Sequence, residues 1–265
     1  MEFKLLGGLT VTNGMSQVPI ARGAQRVVLA ALLLGANRVV TIDEIIDDIW
    51  QLKPPRSARA SLHNTVMRLR QALGAEAGRV ATLVAGYQLT VHPGEFDIAL
   101  FEQLTLSGRD AGRRGDWDGA ARSLETALAL WRGRPFADVP SDRMALREGH
   151  RLQELLISAL EARAEAAIKT GRPGQAIADL TWLTQEDPLR ERSHALLMLA
   201  LWQDGRRASA LAAYQAARAA LLDHGLDPGP ELQQVQLRIL RADSEREHAF
   251  AVFPAWPRPG PLVTQ

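Results

Sequence analysis

The order of apolar and polar positions divides the chain into two regions with different predicted architectures. Up to about residue 95, short β-type runs alternate with segments of helical period. From residue 98 onward, the sequence is dominated by Ala, Leu, Arg, Glu and Gln, which favour helices. The dipeptide Pro93-Gly94 interrupts both patterns. We therefore predict a mixed α+β domain at residues 1–95 and an all-α domain at residues 98–246.

The first domain is predicted to begin with a small sheet followed by helices. Asn13-Gly14 separates two strand-like runs, and Asn-Gly is the strongest short-range signal for a hairpin. A helix, a short β run and a second helix are predicted over residues 23–36, 38–40 and 42–50. Thr41 and Glu44 have the spacing of a capping box, which places the start of the second helix at residue 42.

A third helix and a hairpin complete this domain. The helix is predicted over residues 56–73 and ends at Gly74. Its apolar positions recur every three or four residues and predict one core-facing side, formed by Ala58, Leu62, Val66, Leu69 and Leu73. Two β runs, at residues 81–84 and 87–91, then flank Ala85-Gly86. Two helices joined by a short turn and followed by a hairpin are typical of a winged helix-turn-helix.

The helical domain contains a repeated pattern. Gly171 and Gly205 lie 34 residues apart and each begins the pattern Gly-x4-Ala, as does Gly115. A 34-residue period of helix–turn–helix units is typical of tetratricopeptide (TPR) repeats. The interval from Gly115 to Gly171 is 56 residues, so an insertion is expected between the first two units. We predict a TPR-like domain, with an irregular helical bundle as the alternative, and a disordered, proline-rich tail at residues 247–265.

Composition excludes several classes of protein. With 46% hydrophobic residues in 265, the chain can bury a core, which argues against wholesale disorder. The absence of cysteine excludes a disulfide framework, thiol catalysis and cysteine-ligated metal sites. No apolar run approaches the ~18 residues of a membrane span and no signal peptide is recognisable. We therefore expect a cytoplasmic protein with no membrane partner.

Charge is distributed unevenly along the chain. The net charge of +1, taken alone, argues against a nucleic-acid partner. Residues 53–79, however, carry one acid, Glu76, against six basic residues, which are Lys53, Arg56, Arg59, Arg68, Arg70 and Arg79. DNA binding depends on where cations cluster and not on their total number. Since this segment covers the third helix, we predict that the helix binds double-stranded DNA.

The polar side of the third helix combines the residue types that recognise base edges. In the major groove, Asn pairs with adenine and Arg with guanine. The residues expected nearest the bases are Ser57, Asn64, Arg68 and Gln71. The residues expected mainly to hold phosphates are Arg56, Arg59 and Arg70. Further candidate contacts, in the hairpin or near the first helix, are Arg79, Thr82, Gln88, Arg22 and Arg26. The alternative to a DNA-binding surface is that this side of the third helix is an ordinary solvated face. In the hairpin, Tyr87 is expected to pack inward.

Motifs of catalytic chemistry are missing from the sequence. It contains no Gly-x4-Gly-Lys-[Ser/Thr] phosphate loop, no Gly-x-Gly-x-x-Gly after a strand, no His-Glu-x-x-His and no Gly-x-Ser-x-Gly. Glu191 and His194 have the Glu-x-x-His spacing of di-iron bundles, but those bundles need two such motifs, so we interpret this pair as helix packing. We therefore expect no enzyme activity, no catalytic residue, no cofactor and no metal.

Several segments resemble those of one family. Pro54-Pro55-Arg56-Ser57-Ala58 is similar to its recognition-helix pattern, and Gly86-Tyr87-Gln88-Leu89 is similar to its wing strand. Leu130-Trp131-Arg132-Gly133 and, most specifically, Asp227-Pro228-Gly229-Pro230-Glu231-Leu232 resemble hallmarks of its second domain. The chain thus resembles, over nearly its whole length, the Streptomyces antibiotic regulatory protein (SARP) family of transcriptional activators. These proteins join an OmpR-type winged helix to a bacterial transcriptional activator domain.

The resemblance implies a specific function. It implies activation of a secondary-metabolite gene cluster, by binding direct repeats near the promoter −35 element and by contacting RNA polymerase, including its sigma factor. We also expect a homodimer on DNA, a nucleoid location, and the small stand-alone form of the family. Two other classes of function stay open. One is a TPR-type adaptor whose helix-turn-helix does not read DNA, and the other is a ligand-responsive helical domain.

Overall fold

The structure, a computed structural model, describes residues 1–51 and 53–241; Leu52 and the predicted tail at 247–265 lie outside the described residues. The chain divides into two compact units. The first comprises Met1–Gln103 together with Ala129–Leu155, and the second comprises Leu104–Leu128 together with the chain from Leu156 onward. None of the helices within the described residues is long and apolar enough to cross a membrane.

The first unit begins with an antiparallel sheet of three short strands. These are β1 (Glu2–Lys4), β2 (Thr10–Asn13) and β3 (Ser16–Gln17), in the order β1-β2-β3. Gly14 has a φ of +59° in the turn between β2 and β3, a conformation that glycine adopts without steric cost. The predicted Asn-Gly hairpin is therefore confirmed. Phe3 and Val11 face each other across β1 and β2, and both are buried.

Three helices and a second sheet follow. They are α1 (Ala24–Leu34), β4 (Val40–Thr41), α2 (Ile42–Trp50), α3 (Ala58–Leu73), β5 (Val80–Thr82) and β6 (Gly86–Leu89). A 3₁₀ turn, Gly74–Arg79, joins α3 to β5, and the sheet order is β4-β6-β5. Thr41 accepts the N–H of Glu44, whose side chain accepts the N–H of Thr41, so the predicted capping box is confirmed. The five core-facing residues predicted for α3 are all buried, which confirms that side of the helix.

Gly86 is an exception to the predicted boundaries. The sequence places it in the turn, whereas the structure places it first in β6, opposite Thr41 of β4. A Cβ atom added to Gly86 would lie 2.0 Å from the carbonyl oxygen of Val40. The glycine is therefore required by the close approach of two strands, a tertiary contact that the local sequence does not reveal. The helix α3 also begins two residues later than predicted, at Ala58.

Helices form the rest of the described chain. They are α4 (Asp97–Arg113), α5 (Trp117–Leu128), α6 (Asp142–Lys169), α7 (Gly174–Glu186), α8 (Glu191–Gln203), α9 (Arg207–Asp223) and α10 (Pro230–Arg241). The predicted fold class, an α+β winged helix-turn-helix followed by an all-α TPR-like region, is confirmed. The 28-residue helix α6 and the loop before it account for the long first interval of the repeat.

The same turn recurs before α5, α7 and α9. Gly115, Gly171 and Gly205 each have φ between +73° and +82°. In each turn the glycine N–H bonds to the carbonyl three residues earlier, and the next N–H bonds to the carbonyl five residues earlier, at 2.8–3.1 Å. This is the Schellman motif, which ends a helix on a glycine. The alanines that close the Gly-x4-Ala pattern are all buried, namely Ala120, Ala176 and Ala210. Their small side chains let the next helix pack closely against its neighbour.

Candidate DNA-binding surface

The side of α3 opposite its buried face carries polar side chains that remain available for a ligand. On this side the exposed polar residues within α3 are Asn64, Arg68 and Gln71, and directly before the helix they are Arg56 and Ser57. Their side chains form no hydrogen bond or ion pair with any residue in 1–51 or 53–241. Ser57 occupies the N-cap position, yet its hydroxyl does not cap the helix. The structure therefore places five of the predicted contact residues on one accessible surface.

Met67 lies within this surface and is 56% exposed. It sits one helical turn after Asn64 and next to Arg68. An apolar side chain among polar ones on a major-groove helix has a suitable partner in the methyl group of thymine. Met67 is not among the contact residues predicted from the sequence.

Two further arginines on α3 have partners within the protein. Arg59 forms an ion pair of 3.0 Å with Asp43 of α2, and both side chains are exposed. Exposed pairs of this kind are worth at most about 1 kcal/mol, so Arg59 stays accessible to a phosphate. Arg70 instead donates to the carbonyl of Val80, at 3.0 and 2.7 Å, and to the hydroxyl of Thr82 at 2.7 Å. Arg70 therefore links α3 to the β5–β6 hairpin, the candidate wing.

Arg79, at the base of the wing, belongs to an ionic cluster. It donates to Glu76 at 2.5 Å and to Glu95 at 2.6 and 3.1 Å. The hydrogen bonds that Arg79 donates to Glu95 and then to Glu76 raise the pKa of Arg79. Burial alone would raise the pKa of Glu95, but the hydrogen bonds from Arg79, from the backbone N–H of His92 and from the N-terminal amine outweigh it and lower that pKa to about 2. The side chain of Arg79 is thus fully engaged in joining the wing to the chain that follows it.

The other candidates outside α3 fall into two groups. Gln88 donates to the backbone carbonyl of Asn37 at 2.7 Å, and Arg26 donates to the carbonyl of Leu9 at 3.1 Å and pairs with Asp138. Both therefore hold parts of the first unit together. Arg22, by contrast, is exposed and has no hydrogen-bond or ion-pair partner among the described residues.

The tip of the wing is apolar. The connection between β5 and β6 contains Leu83, which is partly exposed, and Val84, which is fully exposed, followed by Ala85. This segment carries no cationic side chain that could reach into a minor groove. The tip of the wing therefore offers no positive charge to DNA.

His63 is a further exposed polar residue of α3 and is not among the contact residues predicted from the sequence. The hydroxyl of Tyr87 lies 2.5 Å from Nδ1 of His63, and the two rings meet edge to face with centroids 6.1 Å apart. Tyr87 is 1% exposed, which confirms that it packs inward, whereas His63 is exposed. The two residues are 24 positions apart, so no local pattern could have revealed their contact.

Glu191 and His194 have separate partners, which confirms the packing interpretation. Glu191 accepts the backbone N–H of Gly229 at 2.6 Å. His194 is buried, and its Nε2 lies 3.1 Å from the carbonyl of Pro188. Burial lowers the pKa of His194. Within residues 1–51 and 53–241, no group of three or more His, Asp or Glu residues is arranged to hold a metal ion.

Comparison with protein families gives a match over more than half of the chain. Residues 96–240 match the bacterial transcriptional activator domain. Regulatory protein DnrI of Streptomyces peucetius is 36% identical over 254 residues, which cover 92% of this chain and 93% of DnrI. Regulatory protein AfsR of Streptomyces griseus is 36% identical over 249 residues, but the alignment covers 25% of AfsR. This chain is therefore similar to DnrI over almost its full length and to about a quarter of AfsR.

A solved structure supports the same relationship. Mycobacterium tuberculosis EmbR, in complex with a low affinity phosphopeptide, superimposes with a TM-score of 0.86 at 36% sequence identity. The superposition covers 91% of this chain and 65% of the EmbR chain. At this identity and coverage, the likeness extends beyond a shared arrangement of helices to the sequence that forms them.

Proposed function

Since the chain belongs to the Streptomyces antibiotic regulatory protein family, a family of transcriptional activators and not of enzymes, we propose that its winged helix reads DNA through α3. In this proposal α3 enters the major groove with its exposed polar side toward the bases. The observation that carries the proposal is a set of five polar side chains, three on α3 and two directly before it, that have no partners among the described residues and lie opposite a fully buried apolar side.

The exposed residues on and next to α3 are assigned either to bases or to phosphates. Asn64 and Arg68 lie at the centre of the accessible surface and combine the side chains that pair with adenine and guanine, so we assign them to base recognition. Ser57 and Gln71 lie nearer the two ends of the same side. Arg56 and Arg59 are exposed and are assigned to phosphates. Arg22, which is exposed just before α1, is assigned to a phosphate as well.

The remaining candidates are better suited to positioning than to direct contact. The guanidinium groups of Arg70 and Arg79 already hydrogen-bond to the wing or to Glu95. Arg26, Thr82 and Gln88 are likewise engaged within the first unit. Moving any of these groups to a phosphate would cost an existing hydrogen bond. We infer that they hold the wing and the sheet in place while the exposed arginines bind DNA.

Membership of the family supports a more specific target. We propose that the chain binds direct repeats near the −35 element of promoters in a secondary-metabolite gene cluster, as a homodimer on DNA in the nucleoid. In this role it would recruit RNA polymerase through contacts that include the sigma factor. The helical region is the part of the chain available for such protein contacts, since the winged helix faces the DNA.

The experiment that tests DNA reading uses the whole chain and duplexes selected from a random library. We expect Asn64→Ala and Arg68→Ala to weaken binding to the selected duplex by about 1–3 kcal/mol and to leave binding to a scrambled duplex much less affected. Arg218→Ala is the matched control for loss of charge. Arg218 is exposed on α9 and has no partner among the described residues. Equal losses on both duplexes would show that these residues do not read bases.

The same assay separates an activator from an adaptor. A TPR-type adaptor with a non-reading helix-turn-helix would retard neither duplex, even at low salt. A reader that neutralises several phosphates would lose affinity steeply with salt, at roughly −0.9 in log–log slope for each phosphate contact. We expect Arg56→Ala to reduce the magnitude of that slope by about 0.9, the contribution of one phosphate contact, and to weaken binding to both duplexes.

A further inference from the structure

We propose that His63 contacts DNA as well, by donating a hydrogen bond from its Nε2 to a phosphate oxygen, and that Tyr87 is the residue that positions this donor. The inference rests on the proposed DNA binding by α3. Its evidence lies in the contact between a buried tyrosine of the wing and an exposed histidine of the recognition helix.

The imidazole ring of His63 is held from one side. The Tyr87 hydroxyl lies 2.5 Å from Nδ1, and the ring planes meet at 73°. Tyr87 itself is fixed because β6 pairs with both β4 and β5 and the side chain is 1% exposed. A histidine anchored in this way loses the rotamer freedom that an exposed side chain normally has, so its second nitrogen is presented in one direction.

The contact also determines which nitrogen carries the proton. The Tyr87 hydroxyl has no other hydrogen-bond partner among the described residues, so donating to Nδ1 is the arrangement that satisfies its proton. A neutral imidazole whose Nδ1 accepts a hydrogen bond must carry its own proton on Nε2. If the imidazole is protonated, both nitrogens carry protons, and the Tyr87 oxygen accepts from Nδ1 instead. In both states Nε2 is a donor.

Because Nε2 of His63 is a hydrogen-bond donor, its partner must be an acceptor. Nε2 of His63 has no hydrogen-bond partner among the described residues. His63 directly precedes Asn64 and lies one turn after Arg59, on the side of α3 that faces the wing. The flanks of a helix in the major groove face the sugar–phosphate backbone, whose non-bridging oxygens are acceptors. We therefore assign Nε2 to a phosphate and not to a base.

The test is a double-mutant cycle with the whole chain on two duplexes, one selected from a random library and one scrambled. His63→Ala should weaken binding by about 3- to 10-fold, by the same factor on both duplexes, because a phosphate contact carries no sequence information. Tyr87→Phe keeps the buried ring and removes only the hydroxyl. It should weaken binding by about 2- to 5-fold. In the His63→Ala background it should have no further effect, since the donor it positions is gone.

His63→Gln provides a rescue, because its amide also offers a donor at the end of a side chain of similar reach. We expect it to recover part of the lost affinity, whereas His63→Phe should not. A wild-type chain that binds both duplexes, together with an unchanged His63→Ala variant, would overturn the inference and leave DNA binding intact. A loss confined to the selected duplex would indicate a base contact and overturn the phosphate assignment.

The role of Tyr87 is tested separately from a general effect on folding. If Tyr87→Phe weakens binding equally with and without His63, the hydroxyl does not act through the histidine and the positioning role is wrong. His63 is exposed, so its own substitutions should lower the melting temperature only through the loss of its hydrogen bond with Tyr87. Binding is compared well below the melting temperature of every variant, so the effect of these substitutions on binding stands even if Tyr87→Phe lowers stability. A wild-type chain that binds neither duplex at low salt would overturn both the inference and the proposed function.

Discussion

The guanidinium of Arg70 on α3 donates a 2.7 Å hydrogen bond to the hydroxyl of Thr82 at the end of β5. The same group donates twice to the backbone carbonyl of Val80. The sequence marks both Arg70 and Thr82 as candidate DNA contacts, because an arginine with a distant partner looks the same in a sequence as one without. The three hydrogen bonds join α3 to the β5–β6 hairpin.

Arg70→Lys should therefore destabilise the protein. Lysine keeps the charge but cannot reproduce the two-pronged geometry of the guanidinium, so part of the hydrogen bonding to Val80 is lost. We expect the free energy of unfolding in urea to fall by about 1–2 kcal/mol. Arg56→Lys, two residues before the same helix, changes an exposed side chain without a partner among the described residues and should alter that free energy by less than about 0.5 kcal/mol. Equal effects would show that the Arg70 contacts contribute nothing to stability.

Gly86→Ala should disrupt the sheet that carries the wing. The added Cβ would lie 2.0 Å from the carbonyl oxygen of Val40 and 2.8 Å from Cα of Thr41, and backbone atoms cannot move aside as a flexible side chain can. We expect a loss of at least about 2 kcal/mol in unfolding free energy, together with weaker DNA binding because the wing is displaced.

Gly78→Ala is the control for this change. Gly78 has no neighbouring heavy atom within 4 Å of an added Cβ. Its substitution should leave thermal unfolding and DNA binding close to those of the wild type. A Gly86→Ala variant that unfolds at the wild-type temperature would contradict the close approach of β4 and β6.

Two glycines three residues apart should respond to alanine with opposite signs. Gly171 has a φ of +73° in the Schellman turn that ends α6, where a Cβ is strained whatever the space. Gly174 is the first residue of α7, and an added Cβ would meet only Asp204, at 4.0 Å. We expect Gly171→Ala to destabilise by about 1–2 kcal/mol and Gly174→Ala to stabilise by about 0.4–1 kcal/mol. Calorimetric unfolding of both variants measures the difference, and a shift of the same sign in both would contradict the assigned turn.

The part of the fold that the sequence predicts is the part that depends on neighbours a few residues apart. The capping box of Thr41 and Glu44 and the turn at Gly14 are closed by residues within three positions. The buried side of α3 follows from helical periodicity alone. The contact of Arg79 with Glu95 and that of His63 with Tyr87 span 16 and 24 positions. Such contacts decide which polar residues remain free for a ligand, so the sequence predicts α3 and its buried side but not which polar side chains are already bonded within the protein.

The first unit should become less stable as the pH decreases, because Glu95 then becomes protonated. Its pKa in the folded protein is about 2, below its ordinary value of 4.5, because hydrogen bonds from Arg79, His92 and the N-terminal amine outweigh the opposing effect of burial. A carboxylate with a lowered pKa stabilises the fold above its unfolded pKa, and that contribution is lost as the pH falls toward the folded pKa.

Glu95→Gln should thus reduce the unfolding free energy near pH 7, by at most about 3 kcal/mol. The gap between wild type and variant should narrow as the pH falls from about 5 to about 2. Urea unfolding at a series of pH values measures this gap. A gap that stays constant with pH would contradict the charged cluster as its origin.

The contact between Arg26 and Asp138 joins positions 112 residues apart within the first unit. Asp138 also accepts the backbone N–H of Leu9 at 2.7 Å, and the N–H of Arg132 bonds to the carbonyl of Leu6 at 2.8 Å. The segment after α5 therefore completes the hydrogen bonding of the N-terminal sheet. A fragment that ends near residue 95, where the sequence predicts a domain boundary, would lack these partners.

Asp138→Ala should reproduce the effect of removing that segment in a single residue. The change leaves the Arg26 guanidinium, which is 15% exposed, without its carboxylate and leaves the Leu9 N–H without an acceptor. A largely buried charge and an amide N–H that lose their partners each carry a desolvation cost. We therefore expect the free energy of unfolding in urea to fall by about 2–3 kcal/mol. Asp223→Ala removes the same charge at the exposed end of α9 and should change stability by less than about 0.5 kcal/mol. If both variants unfold alike, the long-range pair does not stabilise the first unit.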